Sequence, residues 1–87
     1  MRTLTLYKDT LDLVINLYRY LPNFPKNVQY GQGEVAIGKA LDAIDCIYTA
    51  CTNKDKQKDS LDKYLMLIGG VKARVRVFGE LHFLSVK

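Results

Sequence analysis

Few side chains in this sequence are able to carry chemistry, and they are scattered. His82 is the single histidine; with no Cys, Asp or Glu beside it at ligand spacing, it forms neither a metal set nor a nucleophile-activating pair. The carboxylates Asp9, Asp12, Asp42, Asp45, Asp55, Asp59 and Asp62 recur at the spacings of solvated helix faces. No two of them share an apolar stretch that would hold one as an acid and the other as a base. Gly31-Gln32-Gly33 follows no strand and lacks the remainder of either phosphate-loop pattern. Cys46 and Cys51 fall in a helix-patterned segment, where residues five apart stand about 8 Å apart and point in different directions, so they cannot bridge within that helix. They read as buried thiols of a reducing compartment. The expectation is a non-enzymatic chain without cofactor or metal.

The cations are more informative. Thirteen Lys and Arg against nine Asp and Glu leave a net charge of +4, which favours anionic partners without naming one. Along the third apolar-periodic segment, at about 100° per residue, Lys63 and Arg74 point within about 20° of each other, with Lys56 near the same line. Lys72 and Arg76 lie on the other edge of the apolar arc. Cations flanking an apolar stripe on both sides suit a nucleic-acid backbone or an acidic protein groove. The competing reading is solubilising charge with its aliphatic stems laid along apolar surface. The six tyrosines and three phenylalanines fall mostly at stripe positions, as core or interface residues rather than base-stacking platforms.

Three helices are expected to position these groups. Leu4, Tyr7, Leu11, Val14, Tyr18 and Leu21 repeat at alternating three- and four-residue spacing, widened by Leu13, Ile15 and Leu17, and predict a helix over about Leu4 to Leu21. Pro22 and Pro25 end it. A second helix is expected over about 32–51, opened by Gly31 as N-cap with Glu34 reaching back to free amides. Its face is Ile37, Ala40, Leu41, Ile44, Ile47, Tyr48 and Cys51, and its many small residues suit close packing at the centre. The polar run from Thr52 to Asp59 forms the second connection, capped by Asp59 or Ser60. The third helix spans about 60–78, with Leu61, Tyr64, Leu65, Ile68, Val71, Val75 and Phe78 on one face and a C-cap at Gly79. Val71 to Val77 alternate as a strand would, but a lone strand would lack a partner. Leu81 to Lys87 form an apolar stub.

The fold expected is therefore all-α, an antiparallel up-down helical bundle in one domain, 1–87. A chain of 87 residues has little core to bury and gains from oligomerising. No stretch reaches the ~18 apolar residues of a membrane span, so a cytoplasmic protein with no membrane partner is expected.

The order of short motifs adds a family. Leu-Tyr near the start of a helix, Leu21-Pro22-Asn23-Phe24-Pro25-Lys26, Tyr30-Gly31-Gln32-Gly33-Glu34 opening a small-residue helix with Ala40-Leu41-Asp42, and Asn53-Lys54-Asp55-Lys56 before a leucine-rich helix together resemble the Avd family. These are the accessory variability determinants of diversity-generating retroelements, relatives of the four-helix-bundle proteins encoded in 23S rRNA intervening sequences. The resemblance runs from about Tyr7 to Lys87. It implies a four-helix protomer that assembles into a basic homopentamer, binds a reverse transcriptase and contacts RNA or DNA during mutagenic copying. By position, Lys63, Lys72, Arg74 and Arg76 are the implied nucleic-acid-binding surface. The chain departs from the family pattern where relatives carry Thr-Leu-Gly and it has Gly31-Gln32-Gly33, and where relatives continue into a fourth helix beyond the Ser85 region. A three-helix form would leave an apolar groove and favour a homo-oligomer.

Overall fold

Each of the three periodic segments is a helix in the computed structural model, which describes residues 3–81. Helix α1 covers Thr3–Tyr20, a single turn α2 covers Lys26–Val28, and α3 and α4 cover Glu34–Thr52 and Gln57–Glu80. Among the described residues there is no strand, and Val71 to Val77 lie inside α4. His82 and most of the expected C-terminal stub lie outside the described residues.

The helix ends differ from the expected ones for local reasons. Pro22 sits in a 3₁₀ turn, Leu21–Asn23, after which Phe24 is extended, and this stops α1 one residue early. The expected N-cap at Gly31 does not form. Gln29–Gly33 is instead a π-helical turn kinked at Gly31, and the Glu34 amide donates to the Gly31 carbonyl, so the preceding turn satisfies the start of α3 and no side chain is needed. At the second connection Asn53 is extended and its side chain accepts from the Asp55 amide at 3.1 Å. The 3₁₀ turn Lys54–Lys56 then feeds directly into α4, which starts ahead of the expected caps Asp59 and Ser60. At its other end α4 passes Gly79, and the Leu81 amide bonds to the Val77 carbonyl at 3.0 Å.

Helix α3 is the central rod. It runs antiparallel to α4, as Gln57 Nε2 donating to the Ala50 carbonyl at 3.2 Å and Arg74 meeting Gln32 require. It also runs antiparallel to α1, since Leu21 lies against Gly33. Ala36, Ala40, Ala43 and Ala50 are all buried along it, which is what lets both neighbours approach closely. The core joins Val14 and Leu17 of α1, Ile37 and Ile47 of α3, and Tyr64, Ile68 and Val71 of α4. Full burial of a side chain such as Ile47 or Val71 contributes about 1.5–3 kcal/mol. A second small cluster closes the end of the bundle, where the Phe24 and Phe78 rings sit 4.9 Å apart above Ala36.

The phase of two helices differs from the expected stripes. On α1 the buried face is Thr10, Val14 and Leu17, whereas Leu4 and Tyr18 are exposed. On α3 the alanines face inward, and Leu41 and Tyr48 turn outward. Both helices carry apolar residues around most of their circumference, so periodicity alone admits more than one inward direction. The cysteines follow the same rotation. Cys46 is half-buried and Cys51 is exposed, and both are free thiols.

Candidate nucleic-acid interface

Helix α4 places its cations on two edges, as its periodicity requires, and in four different environments. Lys63 faces α3 across an open hollow of about 500 Å³ that Asp42, Asp45 and Asp59 also line. These carboxylates offset its charge, and the hollow as a whole is not basic. The Cys46 thiol in its wall is pushed above its ordinary pKa chiefly by burial, with Lys63 opposing and Asp42 and Asp45 adding to the rise. Lys72 lies on the opposite edge, in the groove between α1 and α4, with Asp9, Thr10 and Tyr64.

Arg74 is a structural latch. Its Nε donates to Gln32 Oε1 at 2.8 Å, which ties the C-terminal part of α4 to the kinked turn before α3, and its Nη1 donates to the Gly70 carbonyl within α4 at 3.0 Å. Its guanidinium is half-buried and two of its donor directions are taken. Arg76 is exposed on the outer surface. The four residues thus form two edges separated by the buried face of α4, and of them Lys72 and Arg76 are exposed without a cluster of carboxylates around them.

A wider view of the charges produces a more coherent surface. The molecule is 43 Å long, and the pairings Leu21 with Gly33, Gln57 with Ala50 and Thr10 with Tyr64 fix which residues share a level along it. Asp12 and Asp42 mark the middle. Towards the Leu21–Gly33 connection lie Arg19, Lys26, Lys39, Lys72, Arg74 and Arg76 against Glu34 and Glu80. Towards the Asn53 connection Lys8, Lys54, Lys56, Lys58 and Lys63 are matched by Asp9, Asp45, Asp55, Asp59 and Asp62. Among the described residues, then, the positive surplus sits at one end of the bundle. Tyr30, 69% exposed, belongs to the kinked turn at that same end, and a hollow of about 340 Å³ lies between that turn and Val77, Phe78 and Leu81.

No family model matches this chain, and no curated protein or solved structure does either. The geometry carries the functional argument. Arg19, Lys26 and Tyr30 escape a helix-by-helix wheel, which compares residues around one axis and never along the assembled bundle. The signal was available: assigning each charge to one end of an antiparallel hairpin set separates the basic end from the balanced one. Among the described residues no three Cys, Asp or Glu side chains converge as a metal-ligand set, and no helix is long and apolar enough to cross a membrane.

Proposed function

We propose that this chain is a non-enzymatic accessory protein that binds nucleic acid through the basic end of its bundle. In the setting that its resemblance to the Avd family implies, it is an oligomeric cytoplasmic scaffold holding a reverse transcriptase and its RNA or cDNA together. The observation that supports this reading is the location of the surplus charge, with exposed Arg19, Lys26, Lys72 and Arg76 gathered at one end of the rod. Clustered cations release counterions from a phosphate backbone, and an exposed tyrosine among them offers a stacking surface to an unpaired base. Lys63 and Arg74 contribute less directly, the first beside carboxylates and the second as the latch that holds the turn in place.

A second reading, a self-associating bundle of the intervening-sequence type that touches no nucleic acid, is favoured by the exposed apolar side chains of α1 and α3. Titrating a structured RNA with the purified protein at about 50 and 200 mM salt separates the two. Binding should weaken steeply with salt, and Lys72→Gln and Arg76→Gln should each lower the salt slope by about one. Absence of binding, or affinity indifferent to salt and to both substitutions, would rule out the nucleic-acid role.

A further inference from the structure

The outward-turned apolar residues of α1 and α3 are not scattered. Leu4, Ile15 and Tyr18 are 70, 48 and 53% exposed, and Leu41 and Tyr48 are 42 and 62% exposed. At about 100° per residue, the three on α1 share an arc of about 60° and the two on α3 an arc of about 20°. Both arcs lie on the side of the α1–α3 pair away from the α1–α4 groove, whose lining on α1 is Leu6, Asp9, Thr10 and Leu13. Half-buried Leu11 falls within the α1 arc, and half-buried Ile44 lies about 40° from Tyr48 on α3. The two helices together form one apolar slab, whereas on α4 the exposed Met66 and Val77 share a direction within about 20° and Leu65 points about 100° away from them.

The charges along the two borders of this slab are of opposite sign. The outer edge of α1 carries Lys8 and Arg19, and the outer edge of α3 carries Glu34 and Asp45, all exposed. Counting residue for residue from the level where Leu21 meets Gly33, Lys8 and Asp45 stand within about one residue rise of each other along the axis, ~1.5 Å, and so do Arg19 and Glu34. Asp12 lies further round α1, away from the slab.

From this we infer that the slab is a homodimer face: a second copy packs against it about a two-fold axis parallel to the helices. That axis lays α1 of each copy over α3 of the other, keeps every residue at its own level, and sets Lys8 against Asp45 and Arg19 against Glu34 of the partner copy, each pair occurring twice. Leu11 then faces Leu41 and Ile44 across the interface, Leu4 faces Tyr48, and Tyr18 comes down near Gly38, where no atom stands within 4 Å of an added Cβ. An unrelated partner would need no such self-matched pattern of sign and level. The apolar footprint is about 20 Å by 18 Å, or about 400 Å², from the helical rise and interhelical spacing. Its charged borders extend it towards the ~800 Å² per partner of stable complexes, so micromolar affinity is expected. The inference rests on the self-association contained in the proposed function, and its two-fold symmetry departs from the five-fold assembly that the Avd resemblance implies.

Sedimentation of the full chain from about 5 to 200 µM should show a monomer–dimer equilibrium. Ile15→Asp should leave a monomer that keeps the helical circular dichroism of the parent. Lys8→Glu and Asp45→Lys should each raise the dimer dissociation constant about tenfold, and the double variant should return it to within about threefold of the parent. Rescue by the double variant supports the two-fold pairing even if Ile15→Asp fails to fold. A monomer across the whole range, an assembly indifferent to Ile15→Asp, or a double variant no better than the singles would overturn the inference. RNA affinity measured on the same variants answers the other question separately, so a failed dimer and a failed nucleic-acid role are distinguishable.

Discussion

Thr10 lies at the centre of the buried face of α1, 1% exposed, with its hydroxyl donating to the Leu6 carbonyl at 2.7 Å and 3.0 Å from the Tyr64 hydroxyl. The pair links α1 to α4, and among the described residues no buried side-chain polar atom is left without a partner. Tyr64→Phe removes one bond while Thr10 keeps its carbonyl acceptor, so the loss should be about 1 kcal/mol. Thr10→Val strands the Tyr64 hydroxyl and should cost about 1–3 kcal/mol. In urea unfolding the double variant should lose less than the sum of the two singles, by at least about 0.5 kcal/mol, and strict additivity would show that the hydroxyls are not coupled. Threonine reads as polar in a hydropathy pattern, so the residue that marks the true inward direction of α1 was the one the stripe passed over. Leu17, read only as widening that stripe, is in the core. Tyr64, Ile68, Val71 and Phe78, read as one face, are the buried residues of α4, whereas Leu65, read on that same face, is 63% exposed, because that helix also carries apolar residues on its outer side.

At the scale of elements, the helices follow from periodicity and the connections do not. Proline placed the end of α1 within one residue, since its geometry is local. The start of α3 depends on a π-helical turn whose closure involves Leu21, Phe24 and Val28 around Gly33, and no local pattern announces that meeting. A Cβ on Gly33 would stand 2.8 Å from Leu21 Cδ1 and 3.0 Å from the Val28 carbonyl oxygen. The leucine tip can move but the backbone oxygen cannot move freely, so Gly33→Ala should destabilise by about 1–3 kcal/mol. Gly69, in the interior of α4, is the contrasting case. An added Cβ there meets nothing within 4 Å, so Gly69→Ala should stabilise by about 0.5–1 kcal/mol through helix propensity alone. The neighbour Gly70 faces Arg74 Nη1 at 3.3 Å and the Lys39 side chain, which accounts for one glycine of that pair and leaves the other unexplained by packing. Thermal melts of both alanine variants should move in opposite directions. A Gly33→Ala protein as stable as the parent would show that the turn does not lock the entry to α3.

At the scale of the whole molecule, net charge and charge placement make different predictions, and only the second depends on the fold. A charge of +4 describes any arrangement of these residues, but the antiparallel bundle gathers the surplus at the Leu21–Gly33 end and leaves the Asn53 end balanced. Even there the ion pairing is superficial: Lys58 meets Asp62 at 3.5 Å with both side chains well exposed, a contact worth little. Two triple variants separate the effects because each removes three positive charges. Lys26→Gln, Lys72→Gln and Arg76→Gln strip the basic end, while Lys54→Gln, Lys56→Gln and Lys58→Gln strip the other. If phosphate contacts form at the basic end, the first set should lower the salt slope of RNA binding by up to ~3 and weaken low-salt affinity by about 100-fold. The second set acts only through the long-range field, which ionic strength screens within about 10 Å at 0.1 M salt, and should weaken binding by less than about threefold. None of these six side chains is in the core, so both variants should melt close to the parent. Equal losses from the two sets would show that the chain attracts nucleic acid by its total charge and that neither end is a site.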